Sequence, residues 1–415
     1  MANGGAAIFY GWRMVAACVV IATLTWTLGV FGVSVYLYTI TTMQGWSTGL
    51  VSSAVTVFYL FGACLSMPVG SLIGRRGPRA VITAGAFAMG GGVAVLGQVS
   101  EPWQVYGAFM LLGVGYACLG SAALTTTLAP WFERHQGRAV STALLGASIG
   151  GIVGVPALVA GIETIGFGAA AWVAGALIVV VVAPLAWRVL RTRPQDMGLL
   201  PDGESPRVGA AAPVAARTWR RAEALATWQL RSLIAAFGLG LMVQIGFLTH
   251  HVALVAPALG TGGAAALVSG TAVAAFLGRI ALARFSDSVD VRHTAAAMFG
   301  AGTVALALLA WLRSPAALVA VSLFYGLTIG NVTTLSPIIV RREFGAASFG
   351  PVYGLSAMII GLASCLGPSL YGWLHDLAGG YATPLMVASV VDALAAVIVI
   401  AGRPRVAPDT APRSA

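Results

Sequence analysis

Apolar residues along this chain come in long unbroken blocks, separated by short polar stretches rich in arginine, glycine and proline. A helix needs about 20 such residues to cross a bilayer core about 30 Å thick. Blocks of that length predict twelve spans, near residues 14–40, 47–73, 80–98, 104–129, 139–162, 167–187, 232–256, 264–285, 294–312, 316–340, 350–373 and 382–402. The most apolar stretches are Val173–Ala186 and Ala393–Ala401, and the least apolar block is the one containing Arg279. The short alternating strands of a barrel are missing, and a helix satisfies its own backbone groups in lipid. The expected fold is an all-α integral membrane protein with twelve transmembrane helices. The first block is too long for a cleavable signal and only Arg13 precedes it, so it is expected to stay as the first span.

Composition agrees with this pattern. Of 415 residues, 58% are apolar and only 9% are charged, too few to cover a soluble surface. The same figures exclude intrinsic disorder. All 23 basic residues are arginine, with no lysine, against 13 acids. The net charge of +10 does not point to nucleic acid, because the arginines sit in short clusters between apolar blocks. With the N-terminus placed in the cytoplasm, twenty-one arginines fall on the cytoplasmic side and only Arg313 on the other, while Arg279 lies within a span. That bias predicts a multi-pass protein of the cell's inner (plasma) membrane with both termini cytoplasmic.

The stretch from Arg188 to Trp228 carries Pro194, Pro201, Pro206 and Pro213 and much of the charge. It reads as a cytoplasmic linker, residues 188–230, between six-helix bundles at 1–187 and 231–403, with a cytoplasmic tail at 404–415. The halves repeat at an offset of 213 residues. Gly70 to Arg79 after span two matches Ala283 to Arg292 after span eight, and Gly113, Gly137 and Gly154 match Gly326, Gly350 and Gly367. Two six-helix pseudo-repeats joined by a basic loop form a transporter architecture. Enzyme signatures are weak by comparison. Gly146-Ala-Ser148-Ile-Gly150 has nucleophile-elbow spacing but lies in an apolar helix. Cys18, Cys64, Cys118 and Cys365 fall in separate spans as small apolar residues, and neither a cofactor nor a metal site is expected. With no phosphate-binding loop of the G-x4-G-K-[ST] type, the energy is expected to come from solute or ion gradients.

The sequence Gly70-Ser-Leu-Ile-Gly74-Arg75-Arg-Gly77-Pro-Arg79 resembles the loop signature of the major facilitator superfamily. Gly74 stands where that family carries an acid, and the second copy keeps Asp287 but lacks the glycine and the first arginine. The resemblance implies a major facilitator fold. It also implies a cytoplasmic latch involving Gly70, Arg75, Gly77, Arg79 and Asp287, weakened or rebuilt in the first half. Further motifs resemble one branch, the monocarboxylate transporter and oxalate/formate antiporter group. These are Tyr10-Gly11-Trp12, Gly45-Trp46-Ser47, Arg193-Pro194-x-Asp196-x-Gly198, Phe344-Gly345 through Tyr353-Gly354, Gly367-Pro368 and Asp376-x3-Gly380-Tyr381.

Arg279 is the main candidate for cargo binding. It lies about eight residues, hence about 12 Å of helix, before Asp287. An arginine at that depth needs a partner or water. Its fork of N–H donors suits a carboxylate, and the resemblance implies that role for the span-eight arginine. The group's other charges are missing here. Ala275 stands where vertebrate-type members carry an aspartate, and the lysines of span one and span eleven have no counterpart. A monoanion is therefore expected rather than a dianion, without the usual aspartate for protons. Tyr36, Tyr116 and Tyr325 resemble tyrosines of oxalate-type members and are expected to line the cavity, with packing as the alternative. Asn331 and Gln244 are weaker candidates for polar contacts. His250 and Asp392 are candidates for proton coupling, with an interfacial histidine pair, His250–His251, and a structural carboxyl as the alternatives. Gly146-x3-Gly150-x3-Gly154 and Gly326-x3-Gly330 each place glycines on one helix face for close contact. The expected function is secondary transport of a small monocarboxylate by alternating access. A carrier of another solute (drug, sugar or amino acid) is the alternative. The expected partners are the lipid bilayer, the cargo and possible protons.

Overall fold

The computed structural model describes residues 9–203, 219–285, 290–345 and 348–403, with the backbone alone at 283–285. Asp287, most of the linker and the tail at 404–415 lie outside the described residues. Ten helical runs are long and apolar enough to cross a membrane. Eight are single crossings: Tyr10–Gln44, Thr48–Arg76, Pro78–Leu96, Pro102–Trp131, Val291–Trp311, Pro315–Phe344, Phe349–Ala378 and Ala382–Ala401. The other two, Gln136–Arg188 and Trp228–Phe285, are about twice the length of a crossing. Each is divided by a glycine with φ of 79° or 70°, Gly166 and Gly260. These residues split the two runs into spans five and six, and spans seven and eight, giving twelve crossings among the described residues. Gly77 and Gly345 adopt nearly the same conformation at two other turns. A Cβ is strongly disfavoured at such angles, so glycine makes these tight helix-to-helix turns without a long loop.

An even number of crossings puts both chain ends on one side, here called the terminal face, opposite the far face. Core packing follows the repeat. Spans one to six share one large buried cluster, reached at the far face by parts of spans seven and eight. Two further clusters fill the second bundle. The glycine faces pack as their spacing predicts. A Cβ on Gly146, Gly150 or Gly154 of span five would run into Val19 O, Thr23 O or Thr27 Oγ1 of span one. Gly326 and Gly330 of span ten lie equally close to Thr271 and Ala275 of span eight.

Two interruptions are invisible in the apolar pattern. Span one is a π-helix over Trp26–Phe31, and span five over Gly150–Gly154. The two π segments pack on each other, and Thr27 Oγ1 donates to Gly150 O at 3.1 Å. Such bulges free backbone groups that a neighbouring side chain then satisfies.

The offset of 213 residues also relates Arg79 to Arg292. Arg79 Nε donates to Leu190 O at the end of span six, at 2.8 Å. Arg292 is buried and reaches the end of span twelve through Val399 O at 2.9 Å. It also meets Ser232 Oγ, Gln229 O and, bidentately, both Glu343 carboxylate oxygens at 2.6 and 2.8 Å. Buried ion pairs persist where every donor is satisfied, as here. Of the other proposed latch residues, Arg75 is exposed and Gly77 packs against Thr192. Gly70 faces Thr126 of its own bundle. The second half thus builds from Arg292 and Glu343 a clamp that the first half lacks, since Pro130 stands at the position matching Glu343.

Candidate substrate pathway

The far face is closed by polar bonds between the bundles. Asp376, at the far end of span eleven, accepts from Gly49 N in the first turn of span two at 2.7 Å. A carboxylate at a helix N-terminus satisfies a free N–H and meets the positive end of the dipole. Thr56 and Ser369 share a hydroxyl contact at 2.7 Å, and Ser34 Oγ accepts from Val252 N at 2.9 Å. Thr261 donates to Glu163. Gly372 lies against Ser52 and Gly49, where a Cβ would not fit.

His250 sits in the middle of this closure and is buried. Its Nε2 lies 3.1 Å from Pro368 O and 3.2 Å from Ser52 Oγ, and its Nδ1 lies 3.0 Å from Tyr381 Oη. A carbonyl only accepts, so Nε2 carries the proton, and Nδ1 of the neutral ring accepts from Tyr381. His250 therefore ties span two to spans seven and eleven. His251, one residue on, turns instead into the second bundle against Phe247, with ring centroids 4.7 Å apart.

Towards the terminal face the bundles separate around a cavity of about 810 Å³. Its walls come from residues 59–68 of span two, 116–122 of span four, Ile245 of span seven and 354–365 of span eleven. The lining is mainly apolar, with hydroxyls from Tyr59, Tyr116, Ser66, Ser121 and Ser364, and no lining residue is charged. Tyr116 packs against Trp26 of the π segment and against Phe58. Tyr59, which sequence reasoning passed over, brings its hydroxyl to the same wall.

Arg279 lies on the other flank, where span eight faces span five. Near mid-depth these spans touch: Gly151 meets Ala272, and Ser269 Oγ donates to Gly151 O at 3.3 Å. Arg279 is seven residues past Ala272, two turns nearer the terminal face and about 10 Å along the helix, on the same side. The lipid-facing residues Val273, Leu277 and Ile280 are exposed on a different side of the helix. Its Nε donates to Gly330 O at 3.2 Å, while the side chain remains exposed. Glycine at 330 makes the approach possible, because a Cβ there would fall 2.7 Å from Arg279 Nε. Among the described residues the guanidinium is thus anchored at one nitrogen and otherwise exposed, beyond the level of the Ser269–Gly151 contact.

The remaining candidates lie inside the bundles. Tyr36 is fully buried against Phe167, and its hydroxyl has no partner. Tyr325 packs on Phe247 at 4.7 Å in the core of the second bundle. Asn331 Nδ2 donates to Leu327 O at 3.0 Å and faces Met298. The structure therefore places these three in packing positions away from the cavity wall, in contrast to Tyr116. Asp392 is buried between spans nine, ten and twelve. Among the described residues no group of three or more histidine, cysteine or acidic side chains is placed to hold a metal.

The profile of the Major Facilitator Superfamily matches residues 15–368, and the chain belongs to that family. It is a multi-pass membrane transporter, not an enzyme. Among curated proteins it is similar to monocarboxylate transporter 11 of Homo sapiens, 27% identical over 365 residues, which covers 83% of this chain and 73% of the relative. Monocarboxylate transporter 13 of Bos taurus is 26% identical over 77% of this chain and 73% of its own length. Among solved structures, a bacterial homolog of the human lysosomal transporter Spinster, in an inward-facing and occupied conformation, superposes with a TM-score of 0.73. It is 14% identical, covering 96% of this chain and 97% of that one. The nucleoside transporter NupG gives 0.72 at 13% identity, covering 95% and 98%. At these identities the solved structures speak for the fold alone.

Proposed function

We propose that this protein moves a small organic anion, a monocarboxylate, across the cell's inner membrane by alternating access, with both termini in the cytoplasm. The observation that carries this reading is Arg279, a cation with an open edge on the inter-bundle side of span eight. An acid entering from the terminal face meets a guanidinium whose free N–H groups match two carboxylate oxygens. Tyr116 and Tyr59 supply hydroxyls on the cavity wall formed by spans two and four. The described state is then inward-facing, closed by the Asp376 and His250 contacts. Transport requires those contacts to break while the terminal face closes. The relatives named as monocarboxylate transporters support the same class. The residue boundaries of the bundles, 1–187 and 231–403, and the linker at 188–230 belong to this reading.

The test is uptake of a panel of labelled carboxylates into proteoliposomes. Arg279→Ala is expected to lower uptake at least tenfold, in line with the loss of one charge-assisted contact, about 1.5–3 kcal/mol. Arg279→Lys is expected to recover only part of it, because an ammonium lacks the fork. The lack of charge on the cavity wall favours a second reading, an uncharged solute. That reading prevails if Arg279→Ala transports as well as wild type and the acids do not compete.

A further inference from the structure

The second bundle holds a group of polar side chains that neither the cavity nor the far-face closure uses. Asp392, at mid-span in span twelve, is 3% exposed, and its Oδ1 has no hydrogen-bond partner. Its Oδ2 lies over Gly302 of span nine, where an added Cβ would fall 2.5 Å from that oxygen and 3.3 Å from Tyr325 Cε2. Glycine therefore leaves the space the carboxyl occupies, with the Tyr325 ring as its neighbour. Tyr371 of span eleven lies in the same buried cluster as Tyr325. Tyr371 Oη is buried without a partner, as is Ser322 Oγ, one turn from Tyr325 on span ten. Both ring nitrogens of His251 are likewise buried and unpaired, and His251 reaches Tyr325 through Phe247.

Most buried polar side-chain atoms in proteins are hydrogen-bonded, so unpaired atoms on four spans of one bundle call for an explanation. We propose that Asp392 is the centre of a proton-binding site within the second bundle, separate from the cargo pathway. A bare carboxylate with an unpaired oxygen at mid-membrane is strongly disfavoured, and a bound proton removes that charge. Gly302 of span nine and the Tyr325 ring of span ten border the carboxyl, and Ser322, Tyr371 and His251 add unpaired buried groups from spans ten, eleven and seven of the same bundle. They comprise hydroxyls and one imidazole. Tyr371 also stacks on His250, with centroids 5.6 Å apart and planes at 21°. Its neighbour Gly372 packs on Ser52 and Gly49 of the other bundle. Proton occupancy at Asp392 is thereby linked through span eleven to the far-face closure.

Only this coupling role rests on the transporter reading; proton binding itself does not depend on the cargo. The test is infrared difference spectroscopy of the purified full-length protein in detergent, between acidic and alkaline buffers. Wild type is expected to show a protonated-carboxyl stretching band that Asp392→Asn lacks. Tyr371→Phe is expected to shift its frequency, and serves as the informative variant if Asp392→Asn fails to fold. Superimposable spectra for wild type and both variants overturn the proposal. Loss of the band when sodium replaces choline at constant pH overturns it in favour of a sodium site. Arg279→Ala keeps the band whatever it does to uptake, so failure of the carboxylate reading is distinguishable from failure of this one.

Discussion

At the scale of single residues, exposure and partners separate candidates that the sequence made look alike. Tyr36, Tyr116 and Tyr325 all sit near the middle of apolar helices, yet only Tyr116 lines the cavity. Spans apolar on every side give no indication of helix phase, so the buried face is not legible. Adjacent histidines point about 100° apart on a helix. That is why His250 joins the closure while His251 enters the bundle core. Arg292 read from the sequence as one more orienting cation, although its match to Arg79 at the repeat offset was there to see. Outside the membrane, Asp290 caps span nine through Arg292 N at 2.9 Å and His293 N at 3.1 Å, and pairs with Arg403 at 2.7 Å. Partial burial pushes its carboxyl up. The His293 N–H bond, the Arg403 pair and the Arg292 N–H bond outweigh burial and hold it below the usual range. A lowered folded value means that the stabilisation is present above the unfolded value and is lost as pH falls through the folded one. Asp290→Asn is therefore expected to lower Tm at neutral pH, and the gap from wild type to close in acid. A gap independent of pH would contradict the assignment.

Among elements, the glycine faces were legible because their spacing alone puts them on one side of a helix. Their partners were not, since nothing in Gly146, Gly150 and Gly154 names span one. Gly150→Val is expected to cost on the order of 1–3 kcal/mol by forcing the two helices apart. The readout is a lower Tm of the solubilised protein, with Gly137→Val as a control, since a Cβ there meets nothing. Equal loss in both variants would sink the packing argument. The π segments left no sequence signal, because apolar periodicity does not record one extra residue in a turn. The turns at Gly166 and Gly260 merge neighbouring crossings into continuous helical runs, whereas the hydropathy minima of the sequence already separate them.

For the whole molecule, the count of crossings, the repeat and the family were readable from apolar blocks and arginine placement. The state was not, because it depends on contacts between residues hundreds of positions apart. One face is held by Asp376, His250, Thr56 and Ser369, and the other opens to the cavity. Cys64 lines that cavity and is exposed, while Cys18, Cys118 and Cys365 are buried. A maleimide is therefore expected to modify one cysteine per molecule, identified as Cys64 by mass spectrometry. Labelling spread evenly over the four would contradict the described state. Removing a cap costs on the order of 1 kcal/mol. Asp376→Ala is thus expected to slow Cys64 labelling several-fold, by favouring the arrangement in which the terminal face closes. Unchanged labelling would mean that the Gly49 bond does not hold the far face.

The paired π segments carry a consequence for movement. Each stores one surplus residue in a helix that is otherwise regular. Shifting that surplus along the helix turns every side chain between its old and new places by about 100°. In span one, a shift towards the far face would swing Tyr36 through more than a quarter turn without breaking the helix. Rotation in place is thus available to spans one and five alongside the rocking of whole bundles, and a hydroxyl with no partner in this state would acquire a new neighbour.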